Sequence, residues 1–508
     1  MVAALVAFLP AIFSGFLADD YMLLRTLRRI GDVGAAFRKN DLGEAGNSGH
    51  FYRPVWVLWN AGLKELFGAR ALPFHLASLV LYAVITVEVW VLARRLVGES
   101  RAWIAAFAFA LYPRHGESVA WISGSTDLTA VTLGLGALLC ATAPWRLSVR
   151  LATVVFLTAL AGLSKEIAYV LPLLATLIPL AFPELRRRRW WLVPGAMALV
   201  VLVIAIVRLH IVGGVAGYVA YPWTLKRMGA ALGSYALASV TPPDLEVLRH
   251  KVYLLLPALL VALVAARVWV LVRRRLRDPV RIVAFGLIWF LLTLLPTLNL
   301  AVDISTANGE RLMFLGSVGL AIAFAALVDD LSDRRLRASL LGAAAVAGLS
   351  LSLLSAWNWI EAERISSRVI DSAAALAPPR GELVLLSSPE SFRTAHIFPG
   401  NFDAALEWAG RHDVVASFCA PVIVRESNPG VVSFERIDST RYRGRTTWAA
   451  PFDFPVLRKP SPLSPDCSYT RDASGPPGLG LATVVTPLPS RQPAVLAYFD
   501  GYSLRRCC

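Results

Sequence analysis

The chain has 508 residues, of which 56% are apolar or aromatic and 17% are charged, and its mean hydropathy is +0.58. That balance excludes a soluble globular enzyme, a disordered chain and a coiled coil. The net charge of +15 would point to nucleic acid in a soluble protein, but in so apolar a chain basic loops that set membrane topology explain it better, and no nucleic-acid partner is expected.

Eleven apolar stretches run from the N-terminus to Trp357, at roughly 1–17, 72–93, 102–113, 127–143, 149–163, 167–182, 190–212, 252–272, 281–299, 311–328 and 338–357. Most are long enough to cross about 30 Å of hydrocarbon as helices; 102–113 is short and must borrow residues from its flanks. The first lacks a basic n-region and an A-x-A cleavage site, so it reads as a retained helix. Short loops after alternate stretches carry Arg94, Arg95 and Arg101; Arg146 and Arg150; Arg186 to Arg189; Arg273 to Arg275, Arg277 and Arg281; and Arg334, Arg335 and Arg337. Basic short loops stay in the cytoplasm. The N-terminus is therefore expected inside, with 18–71, 114–126, 164–166, 213–251, 300–310 and everything after 357 outside.

After 357 the composition changes. Pro and Gly become frequent, and apolar runs shorten to strand length at 383–387, 414–418, 421–424 and 482–485. Residues 402–410 keep helical spacing. The expectation is an α-helical polytopic membrane domain over 1–357 and a small extracytoplasmic α/β domain over 358–508. Five cysteines without zinc spacing exclude a thiolate metal site; Cys419 and Cys467 are candidates to pair in the outer domain.

Ionisable groups at a membrane boundary are costly and mark candidate sites. Asp19 and Asp20 follow the first stretch directly. An adjacent carboxylate pair suits general-base work or a divalent cation, and equally a solvated helix start. The segment HFYRPVWVLWNAGLKELFG at 50–68 mixes aromatics with Arg53 and Lys64 and suits an interfacial helix or one packed across the bundle's outer end. The loop YPRHGESVAWISGSTDL packs His115, Glu117, Ser118 and Asp127 between two spans. In LSKEIAY, Lys165 and Glu166 most simply pair with each other. In NGERLMFLGSVG, Glu310 and Arg311 precede the tenth span; Arg311 either offers phosphate a bidentate fork or snorkels to headgroups.

In their order, these pieces resemble the GT-C superfamily of membrane glycosyltransferases, nearest to the TMTC-type protein O-mannosyltransferases and their bacterial relatives. The resemblance rests on Asp19-Asp20, YRP at 52–54, GARALPFHL at 68–76, YPRHGESVAWISGSTDLTA at 112–130, LSKE at 163–166 and NGERLMFLGSVG at 308–319. It departs from the family pattern at Tyr112, Ser125 and Phe314, and the tetratricopeptide repeats of eukaryotic members are absent from this chain. The resemblance implies a polyprenyl-phosphate sugar as donor, an acceptor that is a lipid, glycan or protein, and a bacterial plasma membrane as location. By the same resemblance Asp19 is the catalytic base, supported by Asp20. Arg311, Lys165, His115 and Arg53 hold the donor phosphate, and Glu117, Glu310 and Glu166 orient groups or the acceptor, Glu117 by fixing His115. No cofactor is called for, although a divalent metal on Asp19 and Glu117 is compatible. The rival is a transporter or lipid flippase, which would place ionisable groups near the bilayer midplane; here they crowd one side, and Glu88 alone suits that rival.

Overall fold

The computed structural model describes residues 1–29, 33–38, 51–214, 223–243, 252–302, 308–398, 402–424, 432–446, 452–453, 467–472, 482–487 and 494–508. These form two compact units. Residues 1–12 and the described residues from 33 to 356 make the first; 13–29 and the described residues from 357 onward make the second.

The first unit is helical. Each apolar stretch of the sequence lies on helix, and five helices, Ala71–Val97, Ser125–Thr142, Leu192–Val212, Arg277–Thr297 and Arg334–Leu376, are long and apolar enough to cross a membrane. Shorter apolar helices occupy Val2–Phe13, Leu147–Gly162, Glu166–Ala181 and Gly316–Asp329. The chain is an integral membrane protein. Phe8, Tyr82, Leu92, Phe109, Leu138, Leu174 and Trp289 belong to one continuous core, whereas Leu199, Leu202, Val203 and Ile206 of helix Leu192–Val212 point away from it, as lipid-facing residues should. Helix Pro54–Phe67 begins on a proline at its first turn and stops at Gly68, whose φ is +73°. The last long helix does not end at Trp357, where the apolar period fades, but continues to Leu376. Its second half holds no Gly or Pro, so nothing in the chain breaks it before Pro378.

The second unit is α/β. Strand Gly381–Phe392 is its centre, with parallel neighbours Val414–Val424 and Ala494–Phe499 in the registers Gly381↔Val414 and Glu382↔Ala494. Helix Phe402–Trp408 provides the crossover between the first two. Their near-continuous apolar runs match strands covered on both faces. Leu504–Arg506 and Phe452–Asp453 add antiparallel edges, and Ala395–His396 folds back on the central strand. A four-stranded antiparallel sheet is ordered Val432–Arg436, Tyr442–Thr446, Ala482–Pro487, Cys467–Asp472. The runs at 414–418 and 421–424 form one strand rather than two. Cys419 is disulfide-bonded, and the side chain of Cys467 lies outside the described residues. Cys507 and Cys508 are joined to each other.

Candidate functional site

Asp19 and Asp20 belong to the second unit. Residues 17–20 form a tight turn in which the Asp20 amide bonds to the Leu17 carbonyl at 2.8 Å. The buried Asp20 carboxylate in turn accepts the Leu17 N–H at 3.0 Å. Ala18 adopts the left-handed conformation, φ +49°, an uncommon state for a residue with a Cβ. Asp19 stands half-exposed on this turn, at the mouth of helix Asp20–Arg29. That helix is tied within its own unit: Arg25 meets Asp403 at 3.0 Å and Glu407 at 2.7 Å.

The other candidates gather in the first unit, at the end of its helices opposite the arginine-rich loops. The segment after helix Glu99–Ala110 winds through two short turns, Pro113–His115 and Gly116–Val119. Gly124 then passes so close that a Cβ there would lie 2.0 Å from the Glu117 carbonyl oxygen, so only glycine fits. Within this folded loop Arg114 is fully buried. It pairs with Glu310, and its Nε and Nη2 donate to the Thr241 carbonyl at 3.1 Å, the Thr241 hydroxyl at 2.9 Å and the Pro242 carbonyl at 3.0 Å. Burial and the nearby Glu117 push the Glu310 carboxyl above the carboxylate range, against Arg114.

His115 was expected among the phosphate ligands, yet both its ring nitrogens are engaged inside the bundle. Nδ1 meets the Tyr82 hydroxyl and Nε2 the Ser317 hydroxyl, each at 2.8 Å. Both hydroxyls also reach backbone carbonyls, Ser317 that of Phe314 at 2.7 Å and Tyr82 those of Phe109 and Ala110 at 3.0 Å, so the imidazole is locked into a closed hydrogen-bond network. Phe109 and Phe314 lie with ring centroids 4.6 Å from the imidazole. This burial lowers the His115 pKa to about 3. Glu117 does not orient the histidine. Its carboxylate accepts the Arg311 amide at 2.9 Å and lies 3.4 Å from Arg311 Nε, while the Arg311 guanidinium stacks over Trp121 at 4.8 Å.

Lys165 and Glu166 do not pair with each other. Lys165 has extended backbone, φ −163° and ψ 150°, and in extended chain successive side chains point to opposite faces. Lys165 therefore reaches Asp127 at 2.5 Å, whereas Glu166 bonds Arg53 at 3.0 Å and Arg208 on the far side. Lys165 is lowered to about 8 by burial, with Arg311 and Arg53 adding to the shift and Asp127 opposing it. Arg53 and Arg311 thus both act on Lys165, and carboxylates are set between the three cations. Among the described residues no three His, Cys, Asp or Glu side chains gather as cation ligands, and Glu117 is committed to Arg311.

Arg114 and Arg208 complete this constellation and were not picked out from sequence, whereas Asp127 stood out there without a role. Arg114 stood within the YPRHGE motif. Arg208 was the lone cation near the outer end of an apolar run, a place where snorkelling is the ordinary reading.

Comparison with known proteins finds partial likenesses to sugar-transferring membrane proteins. One segment is 34% identical over 139 residues to the protein O-mannosyl-transferase Tmtc1 of Drosophila melanogaster, spanning 25% of this chain and 16% of that relative. Among solved structures, ArnT from Cupriavidus metallidurans in the apo state aligns over 82% of this chain and 84% of its own, at 14% identity and a TM-score of 0.46. The same protein bound to undecaprenyl phosphate gives 15% and 0.45 over the same shares. The Archaeoglobus fulgidus oligosaccharyltransferase tethered with an acceptor peptide gives 12% and 0.39, over 83% of this chain and 68% of its own. No protein-family model matches the chain.

Proposed function

We propose that this GT-C-like protein transfers a sugar from a polyprenyl-phosphate donor to an acceptor hydroxyl, on the membrane side opposite the basic loops. The observation that carries the reading is the gathering of Arg53, Lys165 and Arg311 at one end of an apolar bundle. A departing lipid phosphate builds up negative charge in a low-dielectric setting, and preset cations are what its departure requires. The segment identity to an O-mannosyl-transferase supports the same class.

Asp19 is the general base of the proposed reaction. It takes the proton of the acceptor hydroxyl, the oxygen attacks the anomeric carbon, and the carbon–oxygen bond to phosphate breaks with its electron pair leaving on the lipid phosphate. A single displacement of this kind inverts the anomeric configuration. Asp20 holds the turn that presents Asp19. Glu117 and Glu166 set the positions of Arg311, Arg53 and Arg208; Glu310 does the same for Arg114, and His115 braces the loop from within. No step is routed through a metal.

Membranes containing the protein, supplied with radiolabelled polyprenyl-phosphate sugars, test the reading. Wild type should transfer label, and Asp19→Asn should transfer about 100-fold less or worse, the usual worth of a general base. Transfer by Asp19→Asn at the wild-type rate would overturn the base assignment. No transfer by wild type from any such donor would overturn the donor class.

A further inference from the structure

The ion pairs of the first unit account for Arg53, Arg101, Arg114, Arg208 and Arg311, but they leave out Arg150. It lies in the first turn of helix Leu147–Gly162 and is 3% exposed. Its Nε is buried with no acceptor. Among the described residues its guanidinium has no hydrogen-bond acceptor and no carboxylate in ion-pair range. Burying the Nε edge of a guanidinium without a counter-charge is costly, and such groups are normally paired. The charged group that does act on it is another cation, Arg187, in the exposed run Arg186 to Arg189.

Three further features point the same way. Helix Leu147–Gly162 has 16 residues and no side-chain cap, so its first amides face outward from its N-terminus. Arg150 lies in that first turn, and helical side chains lean toward the N-terminal end. Trp145 and Trp191, 49% and 45% exposed, flank the two segments, and exposed tryptophans of a membrane protein settle at headgroup depth. Arg186 stacks over Trp191 at 5.2 Å.

We propose that Arg150, Arg187 and the open first turn of helix Leu147–Gly162 bind a phosphate group at the membrane boundary on the basic-loop side. The shared chemistry is a phosphate anion, supplied by a phospholipid headgroup or free in solution; the flanking tryptophans favour the lipid. The site is separate from the proposed donor site. Lys165 lies just past the other end of the same helix, and 16 residues at 1.5 Å each put the two ends about 24 Å apart.

Melting of the purified full chain in phosphate-free maltoside tests this. Phosphatidylglycerol should raise the wild-type melting temperature by roughly 5 °C, and digalactosyl diacylglycerol, which has no phosphate, should not. Arg150→Gln should lose that rise while melting no lower than wild type without lipid, because the charge removed has no protein partner. Arg187→Gln, an exposed position that tolerates change, should lose about half of the rise. A rise with inorganic phosphate, present in wild type and absent in Arg150→Gln, would assign the same site to a soluble phosphate. If neither phosphate source raises the wild type, or if both variants respond as wild type does, the site does not exist.

Discussion

Lys165 and Asp127 are both buried and sit in contact, and this pair decides how one reads the cation cluster. Removing one partner of a buried pair leaves an uncompensated charge and costs on the order of 3–5 kcal/mol. Lys165→Met alone should therefore melt well below wild type, and adding Asp127→Leu should restore most of the loss. If Lys165 also holds the donor phosphate, sugar transfer stays lost in the double variant. Recovery of transfer with stability would make Lys165 purely structural. His115 bears on acid stability. Its folded-state pKa is lowered to about 3, whereas an unfolded chain takes up the proton near 6.5. Below that value the unfolded state binds more protons, so stability falls as pH drops from about 6.5 toward 3, by up to about 1.4 kcal/mol per unit. Melting temperatures between pH 6.5 and 4.5 should decline less steeply in His115→Gln than in wild type; equal slopes would mean that His115 is not held neutral. At this scale the sequence showed which residue types were anomalous for a membrane boundary, since Arg311, Glu117 and Lys165 stood out by charge alone. Their partners were not legible, because Arg114 finds Glu310 across 196 positions and the divergence of Lys165 from Glu166 depends on one extended residue.

Between elements, small residues matter more than charged ones. Helices Arg277–Leu294 and Gly316–Asp329 cross where Gly286 meets Gly319. A Cβ on Gly286 would lie 2.3 Å from the Gly319 carbonyl oxygen, and one on Gly319 would lie 2.4 Å from that of Gly286. In lipid no hydrophobic gain drives helices together, so close backbone approach through small residues supplies much of the association. The final glycine of NGERLMFLGSVG is thus part of a helix crossing, while the Glu310 and Arg311 that open the motif make its ion pairs. Gly319→Ala should lower the melting temperature by several degrees, a cost of about 1–3 kcal/mol. Gly195→Ala, with nothing within 4 Å of its added Cβ, should leave it unchanged or slightly raised. Equal effects at the two positions would show that helix propensity, not the crossing, sets the cost. Hydrophobic runs announced the long helices, but of the strands only Gly381–Phe392, Val414–Val424 and Ala482–Pro487. They could not announce the continuation to Leu376, which depends on the lack of a helix breaker and not on an apolar face.

For the molecule as a whole, the sequence suggested a membrane part followed by an outer part, but the second unit also takes in residues 13–29. Ionic and aromatic contacts such as Arg25 to Glu407 and Phe16 to Trp408 join segments nearly 400 positions apart, and no local pattern records that. Charge distribution is a property of this scale too. The basic loops hold 17 arginines against six acids, an excess of eleven out of the net +15, so most of the chain's charge lies on one side of the apolar bundle. Arginine resists translocation wherever short loops are concerned, so those loops should face the cytoplasm and the second unit the opposite compartment. Cys140 is the free thiol among the described residues. With Cys140→Ala as background, a single cysteine at exposed Ser439 or exposed Ser332 can be probed with a membrane-impermeant maleimide. Ser439→Cys should label in intact cells, and Ser332→Cys only after the membrane is opened. The reverse pattern would invert the topology and move the proposed sugar transfer to the cytoplasmic face. Labelling of both in intact cells would mean that no membrane separates the basic loops from the second unit, and the charge asymmetry would then need another cause.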